Sequence, residues 1–332
     1  MLKIWQKKNF LAYLLWPLSF AYGCFIFLRR KIYQMHLLKI NTLSVPVIVI
    51  GNITIGGTGK TPIVISLARF LKEHGWRPGI ISRGYGGNTR HFPCLVHQNS
   101  NAREVGDEPL LIARHTSCPT MIDPNRSRGA KNLLKRSNCN IVISDDGLQH
   151  LSLGRNLEIV VIDGERRFGN NFYLPAGPLR ESPSRLNSVD FIVSKGIAQT
   201  NEFRLSLTPD YFYQLIQPKN QQGVSYFKDK KIHAVAGIGN PDQFFNTLHK
   251  LGLKIIKHPF PDHYLFKLRD FNFGNNAIII MTEKDAVKCT GFVDPRLWCL
   301  RTKTELDSKF LNAVLNRIIL INKNLKSSAS SS

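Results

Sequence analysis

GNITIGGTGKTP, residues 51–62, closes like a phosphate-binding loop, with Gly59, Lys60 and Thr61 in succession. Its entrance departs from the usual G-x-x-x-x-G-K-[ST] form, because Thr54 stands where the first glycine belongs. The flanks decide the reading. VPVIVIGN before the loop is a short, continuously apolar run of the kind that forms a buried strand. TPIVISLARFLKEHG after it carries apolar residues at helical spacing and stops at Gly75. Strand, glycine loop and helix in that order let successive backbone N–H groups face phosphate at a helix N-terminus. Gly56, Gly57 and Gly59, with Thr58 between them, are the expected cradle, and Thr54 fits its entrance if that turn keeps φ negative. Lys60 supplies charge and Thr61 a hydroxyl for Mg²⁺.

Further apolar runs follow at residues 77–84, 119–123, 140–146, 157–164 and 189–196, several separated by helical patterns such as DEPLLIARH and NRSRGAKNLLKRS. Alternation of this kind predicts an α/β fold, a P-loop NTPase-like parallel sheet with helices on both faces. The pattern changes after about residue 200, and a smaller C-terminal α/β domain is expected. The expected divisions are a membrane-associated helical segment at 1–40, a P-loop core domain at 41–222, the smaller domain at 223–325, and a disordered polar tail at 326–332.

The chain has 332 residues and a formal charge of +22, which favours an anionic partner: nucleic acid, an anionic membrane or a phosphorylated substrate. No nucleic-acid-binding module is recognisable. Six scattered cysteines without a C-x-x-C pair argue against zinc ribbons and redox dithiols. From Asn9 to Leu28 no charge interrupts the chain, and Lys3, Lys7, Lys8, Arg29, Arg30 and Lys31 flank the run. The length reaches that of a spanning helix. Pro17 near its middle and Tyr13, Trp16 and Tyr22 within it favour instead a helix, or a broken helical pair, lying in the membrane surface with its basic residues against lipid phosphate.

Other stretches carry chemistry. NIVISDDGLQH (140–150) delivers Asp145 and Asp146 from the end of an apolar strand, where a Walker B carboxylate belongs. REVGDEPLL (103–111) places Asp107 and Glu108 at a helix start, where they serve either the helix dipole or catalysis. HPFPDHYLF (258–266) sets His263 beside Asp262 in a loop. SRGYGGN (82–88), ERRFGNNFYLPAGPLRE (165–181) and DPNRSRGAKNLLKR (123–136) add glycine-rich or arginine-rich loops suited to a phosphorylated ligand.

Taken in order, GNITIGGTGKTP, SRGYGG, VGDEP, SDDGLQH, RRFGNN…LPAGPLRE, PDHY and TEKDAVK resemble the tetraacyldisaccharide 4′-kinases, the lipid A 4′-kinases of Gram-negative bacteria. That family's loop has the same G-N-x-T-x-G-G-x-G-K-T-P form, so Thr54 is not an anomaly within it. The resemblance implies Mg²⁺-dependent transfer of the γ-phosphoryl group of ATP. The implied acceptor is the 4′-hydroxyl of a tetraacyldisaccharide 1-phosphate at the cytoplasmic face of the inner membrane, with no obligate protein partner. It further implies that Thr54, Gly56, Gly57, Thr58, Gly59, Lys60 and Thr61 bind nucleotide and that Asp107 is the base with His263 its partner. By the same resemblance Thr61, Glu108, Asp145 and Asp146 serve the metal, and Arg126 steadies the transferring group. A P-loop switch ATPase is the rival, but that class carries lysine just before the double glycine, where this chain has Ile55.

Overall fold

The computed structural model describes residues 4–330. Its N-terminal apolar run is broken into two helices, α1 (Phe10–Leu14) and α2 (Trp16–Gln34), with Asn9 capping the first through its side chain. Pro17 sits in the first turn of α2, where its missing N–H has no helical partner to lose. Among the described residues no helix is long and apolar enough to cross a membrane.

The central strand β1 (Val47–Gly51) leads through the glycine loop into α3 (Lys60–Glu73). Next come β2 (Pro78–Ser82), β3 (Cys94–Val96), the short α4 (Ala102–Val105), α5 (Asp107–Thr116), β4 (Thr120–Ile122), α6 (Arg126–Arg136) and β5 (Ile141–Asp145). Strands β6 (Leu157–Asp163), β7 (Phe191–Lys195) and β8 (Phe203–Gln214) follow. In space β1 lies between β5 and β6, and the order β8-β7-β6-β1-β5-β2-β4 is parallel throughout, with β3 antiparallel at the edge. Alternate residues of β1 face opposite layers: Ile48 and Ile50 pack with Ile63 and Leu67 of α3, while Val47 and Val49 pack with Ala130 and Leu133 of α6. Burial on both faces is why the strand reads as an unbroken apolar run.

After the two-residue β9 (Gln221–Gln222), a second parallel set forms from β10 (Lys231–Ala236), β11 (Lys254–Pro259), β12 (Ile278–Thr282) and β13 (Leu297–Leu306), with α7 (Pro241–Lys250) and the short α8 (Glu283–Ala286) between them. The two parallel sets are one continuous sheet. Strand β13 pairs antiparallel with β8 from Trp298↔Gln214 to Leu306↔Leu205, with a register shift between Leu300 and Thr302. The chain then crosses back as α9 (Ser308–Ser330), whose Phe310, Val314 and Ile318 enter the same core cluster as Ile48 and Leu67. Two expectations are corrected here. By packing, α9 belongs to the first core and not to the 223–325 unit. The tail expected to be disordered from 326 remains helical through Ser330, because an apolar stripe docked at four-residue spacing lets the helix propagate into its polar end. Residues 331–332 of that expected tail lie outside the described residues.

Phe310 is fully buried, with its ring 5.6 Å from Phe191 and 5.4 Å from Phe203. Phe310→Ala is expected to lower stability by about 3–5 kcal/mol in urea unfolding. Leu320→Ala, on the exposed side of the same helix, is expected to change it by less than about 0.5 kcal/mol.

Candidate active site

At the carboxyl end of β1 the loop turns on Gly56 (φ 110°) and Gly59 (φ 94°), conformations that L side chains adopt only with strain. Gly59 precedes the first turn of α3, which has no side-chain cap and no acidic residue. The helix therefore presents free N–H groups and the positive end of its dipole. Asn52 is buried beneath the loop and donates to Thr58 Oγ1 at 3.2 Å, so Thr58 braces the turn from inside. Thr54 is buried, keeps a negative φ, and forms an isolated antiparallel bridge with Leu179. Pairing with the 178–180 segment is continued by Ile55 N to Pro178 O (2.8 Å) and Arg180 N to Ile53 O (2.7 Å). The entrance of the loop is thus held by backbone pairing with negative φ at Thr54, which explains why it needs no glycine there. From the other side, Arg166 bridges Asp163 (2.9 Å) and the carbonyl of Gly57 (2.9 Å).

Three carboxylates converge beside α3. Lys60 lies 3.6 Å from Asp146, and Arg180 Nη1 donates to both oxygens of Asp146 at 3.1 and 3.2 Å. Burial opposes ionisation of Asp146, but the charges of Lys60 and Arg180, the Arg180 hydrogen bond and Arg126 outweigh it, holding the group down at about 2. Asp145 goes the other way. Burial first, then the charges of Glu108 and Asp146, push it up to about 7, against Lys60 and a 3.0 Å hydrogen bond from Ser82. Its Oδ1 is buried without a hydrogen-bond partner among the described residues. An orphaned carboxylate oxygen among like charges suits a divalent cation. Among the described residues no three His, Cys, Asp or Glu side chains gather into a closed metal cage. Mg²⁺ seldom uses one, since it commonly takes one or two carboxylates together with phosphate and water.

The second cluster spans both parts of the sheet. Gly106, with φ 90°, turns α4 into α5 so that Asp107 and Glu108 open the new helix. His263, on the loop after β11, brings Nδ1 within 3.0 Å of both Asp107 oxygens. The ring rests edge-on against Tyr85, with centroids 4.8 Å apart, and a Cβ on Gly86 would stand 3.0 Å from Nδ1. Gly86 of SRGYGG therefore makes room for this histidine. Lys284, from α8, reaches Glu108 at 3.0 Å and Asp262 at 3.4 Å, and Lys288 stands 4.0 Å from Asp107. Burial opposes ionisation of Asp107. The His263 hydrogen bond and the charges of Lys284, His263 and Lys288 prevail and hold it below the usual carboxylate range.

Asp107 and His263 are thus brought together, and Glu108, Asp145, Asp146 and Lys60 lie in the same electrostatic neighbourhood. Thr61 stands next to Lys60 in the first turn of α3. Arg126 does not reach outward. It is 1% exposed, donates to the carbonyls of Asp123 (2.8 Å) and Asp145 (3.3 Å), and leaves Nε unpartnered among the described residues. Burial lowers its pKa to about 10 despite Asp145 and Asp146. Arg128, two residues further along α6, is paired with Asp123. The arginine that faces Asp146 is Arg180. Sequence reasoning also leaves Arg166, Lys284 and Lys288 without a role, although the RRFGNN and TEKDAVK stretches that carry them stand out.

A family model described as tetraacyldisaccharide-1-P 4′-kinase matches residues 11–319. A tetraacyldisaccharide 4′-kinase of Coxiella burnetii (strain RSA 331 / Henzerling II) is 46% identical over 319 residues, 95% of each chain. One of Nitrosococcus oceani is 46% identical over 316 residues, 95% of this chain and 93% of its own. The crystal structure of the "apo" form of LpxK from Aquifex aeolicus in complex with ATP superposes with a TM-score of 0.79 at 29% identity, covering 93% of this chain and 99% of that one.

Asp107 is ionised through the neutral range, and any stability its carboxylate adds is lost only as pH falls through its lowered pKa. His263→Ala removes the principal stabilising hydrogen bond. Carboxyl NMR titration is expected to show the Asp107 midpoint moving to higher pH in that variant, and an unmoved midpoint would contradict the pairing.

Proposed function

The chain belongs to the tetraacyldisaccharide-1-P 4′-kinase family and phosphorylates the lipid A precursor; we propose that it does so with ATP and Mg²⁺, on the arrangement of residues just described. The observation that carries the assignment of roles is the Asp107–His263 pair, assembled at 3.0 Å from two parts of the chain. In this reading the N–H groups of residues 56–61 and the Lys60 ammonium hold the β- and γ-phosphates. Thr61 and the carboxylates of Asp145 and Glu108 would hold Mg²⁺, with Asp146 tied to Lys60 and Arg180 beside them. Bound there, the ion supplies charge neutralisation at the phosphate oxygens. Asp107 takes the proton of the 4′-hydroxyl as its oxygen bonds to the γ-phosphorus. The bond from that phosphorus to the bridging oxygen breaks, and its electron pair leaves with ADP. His263 orients the carboxylate through Nδ1. The charge of Arg126 acts from beneath Asp145, not by contact with the transferring group.

The division into a core at 41–222 and a smaller unit at 223–325, with α9 returned to the core, gives each partner of the Asp107–His263 pair its own support. The apolar N-terminus suits an acylated substrate. Phe10, Leu14, Phe20, Phe25 and Phe27 are exposed, with Lys7 and Lys8 at one end and Lys31 at the other. A groove of about 360 Å³ lies between α2 and Phe172–Tyr173. We place this face in the cytoplasmic leaflet of the inner membrane, with the groove toward the acyl chains.

Purified protein with γ-labelled ATP, Mg²⁺ and tetraacyldisaccharide 1-phosphate in micelles is expected to yield labelled lipid. Lys60→Ala and Asp107→Ala are each expected to lose at least about 100-fold in kcat, and chelation of Mg²⁺ to abolish transfer. ATP hydrolysis without labelled lipid would overturn the reading in favour of a switch ATPase.

A further inference from the structure

Helix α2 is apolar and largely exposed, yet one polar side chain on it is buried. Ser19 is 2% exposed. A helical serine commonly turns its hydroxyl back to the carbonyl four residues earlier. Here the backbone keeps its own bond, Ser19 N to Leu15 O at 3.2 Å. The hydroxyl leaves the helix, donating to Tyr173 O at 2.7 Å and accepting from Ala176 N at 2.9 Å. One hydroxyl thus closes both ends of a backbone turn far away in sequence.

That turn is the root of the segment that braces the phosphate loop. Two to four residues after Ala176 the chain pairs with the loop entrance, through Ile55 N to Pro178 O, the Thr54–Leu179 bridge and Arg180 N to Ile53 O. The same Arg180 holds both oxygens of Asp146. Tyr22 Oη, one turn beyond Ser19 on α2, donates to the carbonyl of Arg180 at 3.4 Å. A Cβ on Gly23 would come within 2.9 Å of the Tyr173 ring, so the helix is packed tightly against this turn. Hydrogen bonds at both ends of the short 176–180 backbone segment therefore connect the apolar helix to Asp146 and to the start of the phosphate loop.

We propose that Ser19 is a positioning residue for phosphoryl transfer: its hydroxyl fixes the 173–176 turn, and through it sets Arg180 and the entrance of the phosphate loop. The inference rests on the kinase reading above for the meaning of Asp146 and the loop. Ser19 lines the groove beside α2, but its hydroxyl is spent on Tyr173 and Ala176 and reaches neither the nucleotide nor the sugar hydroxyl that is phosphorylated in this account. It acts through Arg180, so its loss disturbs the geometry of transfer more than the binding of lipid.

Threonine and valine have nearly the same shape, so Ser19→Thr and Ser19→Val isolate the hydroxyl. Wild type and both variants are compared in the labelled-lipid assay for kcat and lipid KM, and in flotation with vesicles containing anionic phospholipid. Ser19→Val is expected to lose about 10-fold or more in kcat. Its lipid KM and flotation should change by less than about twofold, with Ser19→Thr close to wild type. Equal losses in the two variants, or a loss confined to KM and flotation, would overturn the proposal by reducing Ser19 to an anchor for the helix. A second readout does not depend on activity or on the kinase reading. In folded Ser19→Ala, amide hydrogen exchange is expected to quicken at Ala176, Arg180 and Ile55 while the strands of the core stay protected. Unchanged exchange at those three amides would overturn the proposal even if no protein, wild type included, labels lipid. Failure of wild type to label lipid with quickened exchange would overturn the kinase reading and leave the positioning intact.

Discussion

The antiparallel seam between β8 and β13 is the constraint on which the site depends. Each parallel set could bury its own faces, but only the pairing from Trp298↔Gln214 to Leu306↔Leu205 makes them one sheet. The seam is long and carries side chains from both halves, so the register is strongly set. It brings the loop after β11 over the start of α5, and His263 reaches Asp107 as a result. The same seam puts Glu283 of α8 beside His115 at the far end of α5, at 3.2 Å, with Arg301 of β13 joining the pair. The TEKDAVK stretch therefore grips α5 at both ends, through Lys284 at Glu108 and Glu283 at His115.

Charge explains why so much structure converges on one place. Asp107 and Asp145 are buried and Asp146 is partly buried, and burying an unpaired carboxylate is expensive. Asp146 is offset by Lys60 and Arg180, and Asp107 by His263, Lys284 and Lys288. Of the three, Asp145 lacks a cationic partner of its own among the described residues and retains an orphaned oxygen. The carboxylate left short of positive charge is the one at the end of the strand beside the phosphate loop. Part of the chain's +22 charge is thus local, drawn to this acidic centre, and part lies around the apolar helices.

Much of this is legible in the sequence, for identifiable reasons. Doubly buried strands read as apolar runs, so β1, β2, β5, β6 and β7 stand out from their residues alone. The glycine loop is readable because only glycine tolerates its φ values, and Asp145 and Asp146 because a strand end is local. What escapes is non-local. Nothing near Arg180 announces that it meets Asp146, and nothing near Lys284 announces Glu108. Arg126 points toward the site by its position at the sheet edge, but a buried guanidinium satisfies backbone carbonyls first. The return of α9 to the first core is hidden for the same reason, since amphipathic spacing tells that a helix is covered but not by what.

The central claim is that Asp107 and His263 act as one unit across the seam. A double-mutant cycle on kcat/KM for lipid phosphorylation, using Asp107→Ala, His263→Ala and the double variant, tests it most directly. The account predicts that the double variant is no slower than Asp107→Ala alone, because the imidazole has no task once the carboxylate is gone. Fully additive losses would show two independent contributions and contradict it.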